Sequence, residues 1–257
     1  MKKLLLSFSL LASLHAANAM EQPAHHEVVD YCVKNAIVTG IEKANTSIEA
    51  VQAVDQLVRN PLFFQQAQEG YFDQLILGVV RNKFAKSLLP FFGLNHGIGQ
   101  RLAQEYFKNV RNFNKETDQN IVKELLRDNW TVLVGKGIEN TEVNIDEQIS
   151  QVIDKHTTKV ICNPSNQVVG FITYACQRIF GECSIKFIAV DAQAQGNGFG
   201  RKLIEYAEYD AYKQKLKTIH LRVFQENISA INFYRNLGFM SINHNYHMPA
   251  FTMKKEI

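Results

Sequence analysis

Cysteine is scarce in this chain: there are four in 257 residues, and none of Cys32, Cys162, Cys176 and Cys183 forms a CxxC pair or has histidines at zinc-ligand spacing. A metal centre is therefore not expected. An excess of one charge is lacking as well. The chain has 28 basic and 25 acidic residues, or 26 basic ones once Lys2 and Lys3 are set aside. That balance leaves no basic stripe of the kind a nucleic-acid binder carries, so nucleic acid is not an expected partner. Long apolar runs are missing too. The stretch from Leu4 to Leu14 falls far short of the ~20 residues that span a bilayer, which argues against stable membrane insertion. With 46% hydrophobic and 21% charged residues and no low-complexity segment, nothing reads as disordered.

What is present begins with MKKLLLSFSLLASLHAANAM, a basic start, an apolar stretch and the small-x-small sequence Ala17-Asn18-Ala19. This reads as a secretory signal peptide over residues 1–19, cut after Ala19, and so as an exported protein, periplasmic or secreted. The alternative is a cytoplasmic protein whose translation starts at Met20. Residues 21–103 follow as an all-helical region: Val33, Ala36, Ile37 and Ile41 recur at helical spacing, Ser47 suits an N-cap before IEAVQAVDQLV, and Pro90 with Gly93 ends a further helical stretch. In HGIGQRLAQEYF, Gly97 and Gly99 read as a turn before a helix.

Residues 104–257 change texture to alternating strands and helices, in the order β, α, α, three antiparallel β, α, β, α, β, β. The β-rich runs TKVICN, QVVGFITYAC and ECSIKFIAV are joined by short turns at Pro164-Ser165-Asn166 and around Gly181. A hairpin centred between Ile179 and Phe180 sets Cys176 opposite Cys183, within disulfide reach. In an oxidising compartment the two could bond; in a reducing one they would be two small core residues.

After the third run comes AVDAQAQGNGFGRKLIEYA, residues 189 to 207. A glycine-rich turn between strand and helix exposes backbone amides and the positive end of a helix dipole, which suits a phosphate. The spacing is GxGxG rather than GxGxxG and the region near 216 to 221 has no acidic residue, so a dinucleotide-binding fold is not expected; no GK[ST] follows, which excludes a P-loop.

The hexamer Gln195-Gly196-Asn197-Gly198-Phe199-Gly200 resembles motif A of the GNAT N-acetyltransferase superfamily, [QR]xxGx[GA]. VFQENISAINFYRNLGF, residues 223 to 239, is similar to that family's NxxAxxxYxxxGF, with Asn227, Ala230, Tyr234, Gly238 and Phe239 in place. The resemblance covers about residues 104 to 257. It implies an α+β GNAT acyl-CoA N-acyltransferase fold, a mixed central sheet with flanking helices, here preceded by the all-helical N-terminal region. It further implies acetyl-CoA as co-substrate, no metal, and an amine acceptor, small molecule or protein.

Carried over residue by residue, the resemblance has the amides of Gly196 to Gly200 hold the diphosphate, with Gln195, Asn197, Phe199 and Asn227 in the same site. The backbone near Ile188 and Val190 receives the pantetheine arm between two parted strands. Tyr234 protonates the leaving thiolate, a pairing expected to work because phenol and thiol pKa values lie within ~1 to 2 units. Some relatives use a glutamate as base at the position of Ser184; Glu182, two residues earlier, and Lys186, two residues later, fall on the same face of a regular strand. The competing expectation is a catalytically inactive GNAT-fold module that binds CoA or a protein, such as a secreted effector, with the helical region presenting the partner surface.

Overall fold

The computed structural model describes residues 22–59, 70–84, 88–94, 97–129, 145–243 and 250–257. The expected signal peptide at residues 1–19 lies outside them, as do residues 60–69 of the expected second helical stretch and the side chains of Cys32, Ile145 and Ile149. Contacts divide the chain into two compact units, Met1–Tyr106 and Phe107–Ile257.

In the first unit every described element is helical: α1 Gln22–Lys43, α2 Ser47–Val58, α3 Asp73–Lys83, a 3-10 turn Leu89–Gly93, and α4 Ile98–Tyr106. Val33, Ala36, Ile37 and Ile41 form the buried side of α1, as their spacing requires. The cap of α2 is Thr46 rather than Ser47. Its hydroxyl accepts from the Glu49 amide at 3.2 Å while the Glu49 carboxylate accepts from the Asn45 amide at 2.8 Å. Both residues can cap, and the one with extended backbone angles does so. Gly97 is the turn glycine, φ +75°, but Gly99 already belongs to α4. There its missing side chain admits the backbone of Phe92, whose carbonyl oxygen would stand 2.2 Å from a Cβ. None of the described helices is long and apolar enough to cross a membrane.

The second unit runs β1 Val110–Asn112, α5 Lys115–Asp128, α6 Ile145–Lys155, β2 Thr157–Cys162, β3 Val168–Gln177, β4 Glu182–Val190, α7 Phe199–Lys213, β5 Thr218–Phe224, α8 Ile228–Asn236, β6 Met240–Asn243 and β7 Ala250–Glu256. The element order and the α+β class are those expected. The strands form one sheet in the order β1-β2-β3-β4-β5-β7-β6, with β4 and β5 its parallel pair next to antiparallel neighbours. Val160, Phe171 and Ala189 bury one face of the sheet under Val122, Leu125 and Leu126 of α5 and Ile153 of α6. Tyr174, three residues on from Phe171 and so on the other face, donates from its hydroxyl to Asp210 of α7 at 2.9 Å. Along α7, Leu203, Ile204, Ala207 and Ala211 are fully buried.

Candidate active site

Pairing between β4 and β5 is confined to three residues, Glu182 with Thr218, Cys183 with Ile219 and Ser184 with His220. Beyond Ser184, β4 continues to Val190 along β3 alone, while β5 continues to Phe224 along β7. The two strands therefore part. Which way the backbone of β4 points follows from its last bond to β3. The Asp191 amide donates to the Val169 carbonyl, and amide direction alternates along an antiparallel ladder, so the main-chain groups of Val190 and Ile188 point away from β3, into the opening.

The opening leads into the glycine loop. Asp191 starts it by accepting from the Gln193 amide at 2.7 Å, and Gln195 folds back so that its Nε2 donates to the Val190 carbonyl at 3.1 Å. The side-chain amide of Asn197 donates to the Ala194 carbonyl at 3.1 Å. Gly196 and Gly198 both have positive φ, +82° and +78°, and nothing stands within 4 Å of where a Cβ would sit on either. Gly198 is the N-cap of α7 and supplies no side chain to it. The first intrahelical bond is Lys202 amide to Gly198 carbonyl, which leaves the amides of the preceding turn, including Phe199 and Gly200, without helical acceptors. Gly200 differs from the other two: its φ is ordinary, and a Cβ there would touch the Phe233 ring at 3.4 Å.

Asn227 caps α8, its Oδ1 accepting from the Ala230 amide at 3.0 Å, so this oxygen is committed to the helix. The helix ends in a Schellman motif, Phe239 amide to Tyr234 carbonyl and Gly238 amide to Arg235 carbonyl, with Gly238 at φ +90°. Tyr234 is thereby held from both ends of a nine-residue helix, buried at 7% exposure against Phe233 and Phe239. Burial pushes its phenol well above the ordinary tyrosine value. The near match to a thiol expected from unperturbed values is not kept; Tyr234 holds its proton throughout the neutral range.

Glu182 is not alone. Its carboxylate accepts from Lys254 Nζ at 3.2 Å and from the Thr218 hydroxyl at 3.5 Å, and stands 3.8 Å from His220 Nδ1. The register explains this: Ser184, His220 and Lys254 lie in one row across β4, β5 and β7. Burial lowers the His220 pKa, and Lys186 and Lys254 lower it further against the opposing pull of Glu182, so the imidazole is neutral at pH 7. Reading along the chain had not brought out His220, Thr218 or Lys254. The one local signal was the polar alternation Thr218, His220, Arg222 between Ile219, Leu221 and Val223. The regular face assumed for Lys186 is corrected: β4 carries an irregularity there, with Phe187 opposite Thr173 and Ile185 opposite Tyr174, so Lys186 is the unpaired residue between them. Among the described residues no cluster of His, Cys, Asp or Glu is arranged to hold a metal ion.

Residues 120–239 match the model of the acetyltransferase (GNAT) family. A curated relative, the uncharacterized protein YxbD of Bacillus subtilis strain 168, is 36% identical over 77 residues, 30% of this chain and 46% of that one. The [ribosomal protein bS18]-alanine N-acetyltransferase of Escherichia coli K12 is 36% identical over 73 residues, 28% of this chain and 49% of its own. The chain thus spans about half the length of the curated relatives it matches. Among solved structures, a ribosomal-protein-alanine N-acetyltransferase from Brucella melitensis aligns with a TM-score of 0.44 at 21% identity, covering 58% of this chain and 99% of that one.

Proposed function

With residues 120–239 forming a domain of the acetyltransferase (GNAT) family, we propose that the second unit transfers an acetyl group from acetyl-CoA to a primary amine. The observation that carries this reading is the parting of β4 from β5 after three paired residues, with outward main-chain groups at Ile188 and Val190 leading into an open glycine loop. In this reading the amides of Gly196, Gly198, Phe199 and Gly200 receive the diphosphate at the positive end of α7. Gln195 and Asn197 hold the loop in shape by their bonds to the backbone, and Asn227 positions α8. Ile188 and Val190 receive the pantetheine amides as an added strand would.

Tyr234 donates its proton to the departing sulfur. Because burial keeps the phenol protonated, it contributes a fixed donor rather than a group that titrates near neutrality. An acceptor amine, of pKa ~8 at a chain terminus or ~10.4 on an alkyl chain, arrives largely as ammonium and must lose a proton before it attacks. His220, neutral at pH 7 and 3.8 Å from the Glu182 carboxylate, takes the proton, and the imidazolium then faces Glu182, which Lys254 holds at 3.2 Å. Holding amine and thioester in line supplies much of the rate.

The deciding experiment is calorimetry with CoA. Gly198→Glu places a carboxylate in the loop, and binding is expected to fall at least about 100-fold, roughly 2.7 kcal/mol. Unchanged affinity overturns the reading. A mass-spectrometric acceptor screen begins with alanine-terminated peptides, since one relative bears the name of an alanine N-acetyltransferase. Export through a leader at residues 1–19 remains our proposal on the sequence alone, and N-terminal sequencing of the protein from its native host tests it.

A further inference from the structure

The hairpin joining β3 to β4 places Cys176 and Cys183 directly opposite one another, and their Sγ atoms lie 3.0 Å apart with both thiols free. A disulfide needs ~2.0 Å between sulfurs and Cα atoms ~4.4 to 6.8 Å apart, and directly facing cross-strand residues, with Cα atoms ~4.5 to 5.5 Å apart, meet the second requirement without moving the backbone. The two thiols also differ in access. Cys183 is fully buried, whereas Cys176 is part-exposed on the same face, beside Gln214 and Asp210 at the end of α7. We propose that Cys176 and Cys183 are a redox-active dithiol, a modification site whose reaction partner is a disulfide, small-molecule or protein, and whose product is a cross-strand bond stapling the β3–β4 hairpin. The inference does not depend on acetyl transfer.

The order of events follows from access. The Cys176 thiol loses its proton and its thiolate attacks one sulfur of the incoming disulfide, releasing a thiolate and leaving a mixed disulfide on Cys176. Cys183 then loses its proton and attacks the Cys176 sulfur, and the second thiolate leaves. Two protein thiols are oxidised, one disulfide is reduced to two thiols, and the two protons pass to the leaving groups. The thiol chemistry runs in the same direction: the hydrogen bond between the two sulfurs lowers the Cys176 pKa, while that bond and burial raise that of Cys183. The bond would close beside Glu182 and Ser184, where β4 begins its pairing with β5.

The test uses the full-length protein, reduced and then equilibrated with increasing ratios of oxidised to reduced glutathione, quenched by alkylation and digested with trypsin. Cleavage after Arg178 separates the two cysteines, so the bond is read as a linked pair of peptides. We expect the Cys176–Cys183 pair to become the dominant species as the ratio rises, with Cys162 still alkylated after denaturation. A stable glutathione adduct on Cys176 at the most oxidising ratio, or full alkylation of both thiols there, overturns the proposal. In Cys176→Ser the link is absent and Cys183 is expected to stay free of glutathione; its ready glutathionylation would overturn the assignment of Cys176 as the point of attack.

Discussion

Each unit of this protein places closely spaced glycines at the start of a helix, and the two sets do opposite work. In the first unit Gly99 is small because something is already there: a Cβ would lie 2.2 Å from the Phe92 carbonyl oxygen and 2.8 Å from the Leu94 nitrogen. In the second, Gly196 and Gly198 are small because the backbone must take a positive φ, and the space above them is empty. Spacing in the sequence does not separate these cases. What separates them is what a side chain would meet, neighbouring backbone in one and room for a guest in the other.

Substituting alanine at each position would break the comparison if the two sets behaved alike. The largest effect is expected at Gly99→Ala, because the clash is with main chain that cannot rotate away. We expect a loss of about 3 kcal/mol or more. Amide exchange reads it by region: α4 and the turn at Leu89–Gly93 lose protection, while β3 and β4 keep theirs.

The units also share a forked arginine–aspartate pair, Arg101 with Asp73 in the first and Arg111 with Asp118 in the second. Asp118 is 2% exposed and accepts in addition from the Asn114 amide and the Thr117 hydroxyl, so the fork ties β1 to the start of α5. Asp118→Asn should cost about 2 kcal/mol at pH 7, tempered because Arg111 is 42% exposed and screened by water. The hydrogen bonds from Arg111 hold the folded carboxyl below its usual range. Its contribution is therefore whole above the unfolded pKa of about 4 and is lost as the pH falls through the lower folded value. Urea titrations at neutral and acid pH should show the gap between wild type and variant closing in acid.

Local features were legible in the sequence. Helix α7 has the bounds its periodicity assigns, Phe199–Lys213, and the β3–β4 hairpin turns where alternating residues and Gly181 require it. These depend on a few neighbouring residues. The irregularity at Lys186 did not show, because it arises from fitting β4 to β3 rather than from either strand alone. The parting of β4 from β5 was foreseen only through the family resemblance, and the row Ser184, His220, Lys254 joins three strands separated by helices or by more than twenty residues. A site assembled by register becomes visible when the register is known. The motif residues were different: Gln195, Gly198, Asn227 and Tyr234 each stand where local backbone geometry explains them.

Within the second unit the comparison sharpens between neighbouring glycines. Gly198→Ala puts a Cβ on a left-handed residue in open space, so the cost is strain alone, about 1 to 2 kcal/mol, without repacking. Thermal unfolding monitored by circular dichroism should show a modest shift in midpoint with unchanged cooperativity. A loss as large as that of Gly99→Ala would mean that the loop is packed rather than open.

Gly200→Ala should have the smallest effect of all. Its φ is ordinary, and the nearest atoms to a Cβ are the tip of the Phe233 ring at 3.4 Å and Val190 Cγ2 at 3.8 Å, distances of normal contact. Alanine also gives up less backbone entropy than glycine on entering a helix, by up to about 1 kcal/mol, though less in a first turn. The two terms nearly cancel, and stability should stay within about 0.5 kcal/mol of wild type by urea unfolding. The same variant leaves the amides of the loop in place, so CoA affinity in calorimetry should change by less than about threefold, under 1 kcal/mol. If Gly200→Ala instead abolished binding while Gly198→Ala did not, the guest would approach over the first turn of α7 rather than over the loop, and the contacts proposed at Gly196 and Gly198 would give way to ones at Gly200 and Arg201.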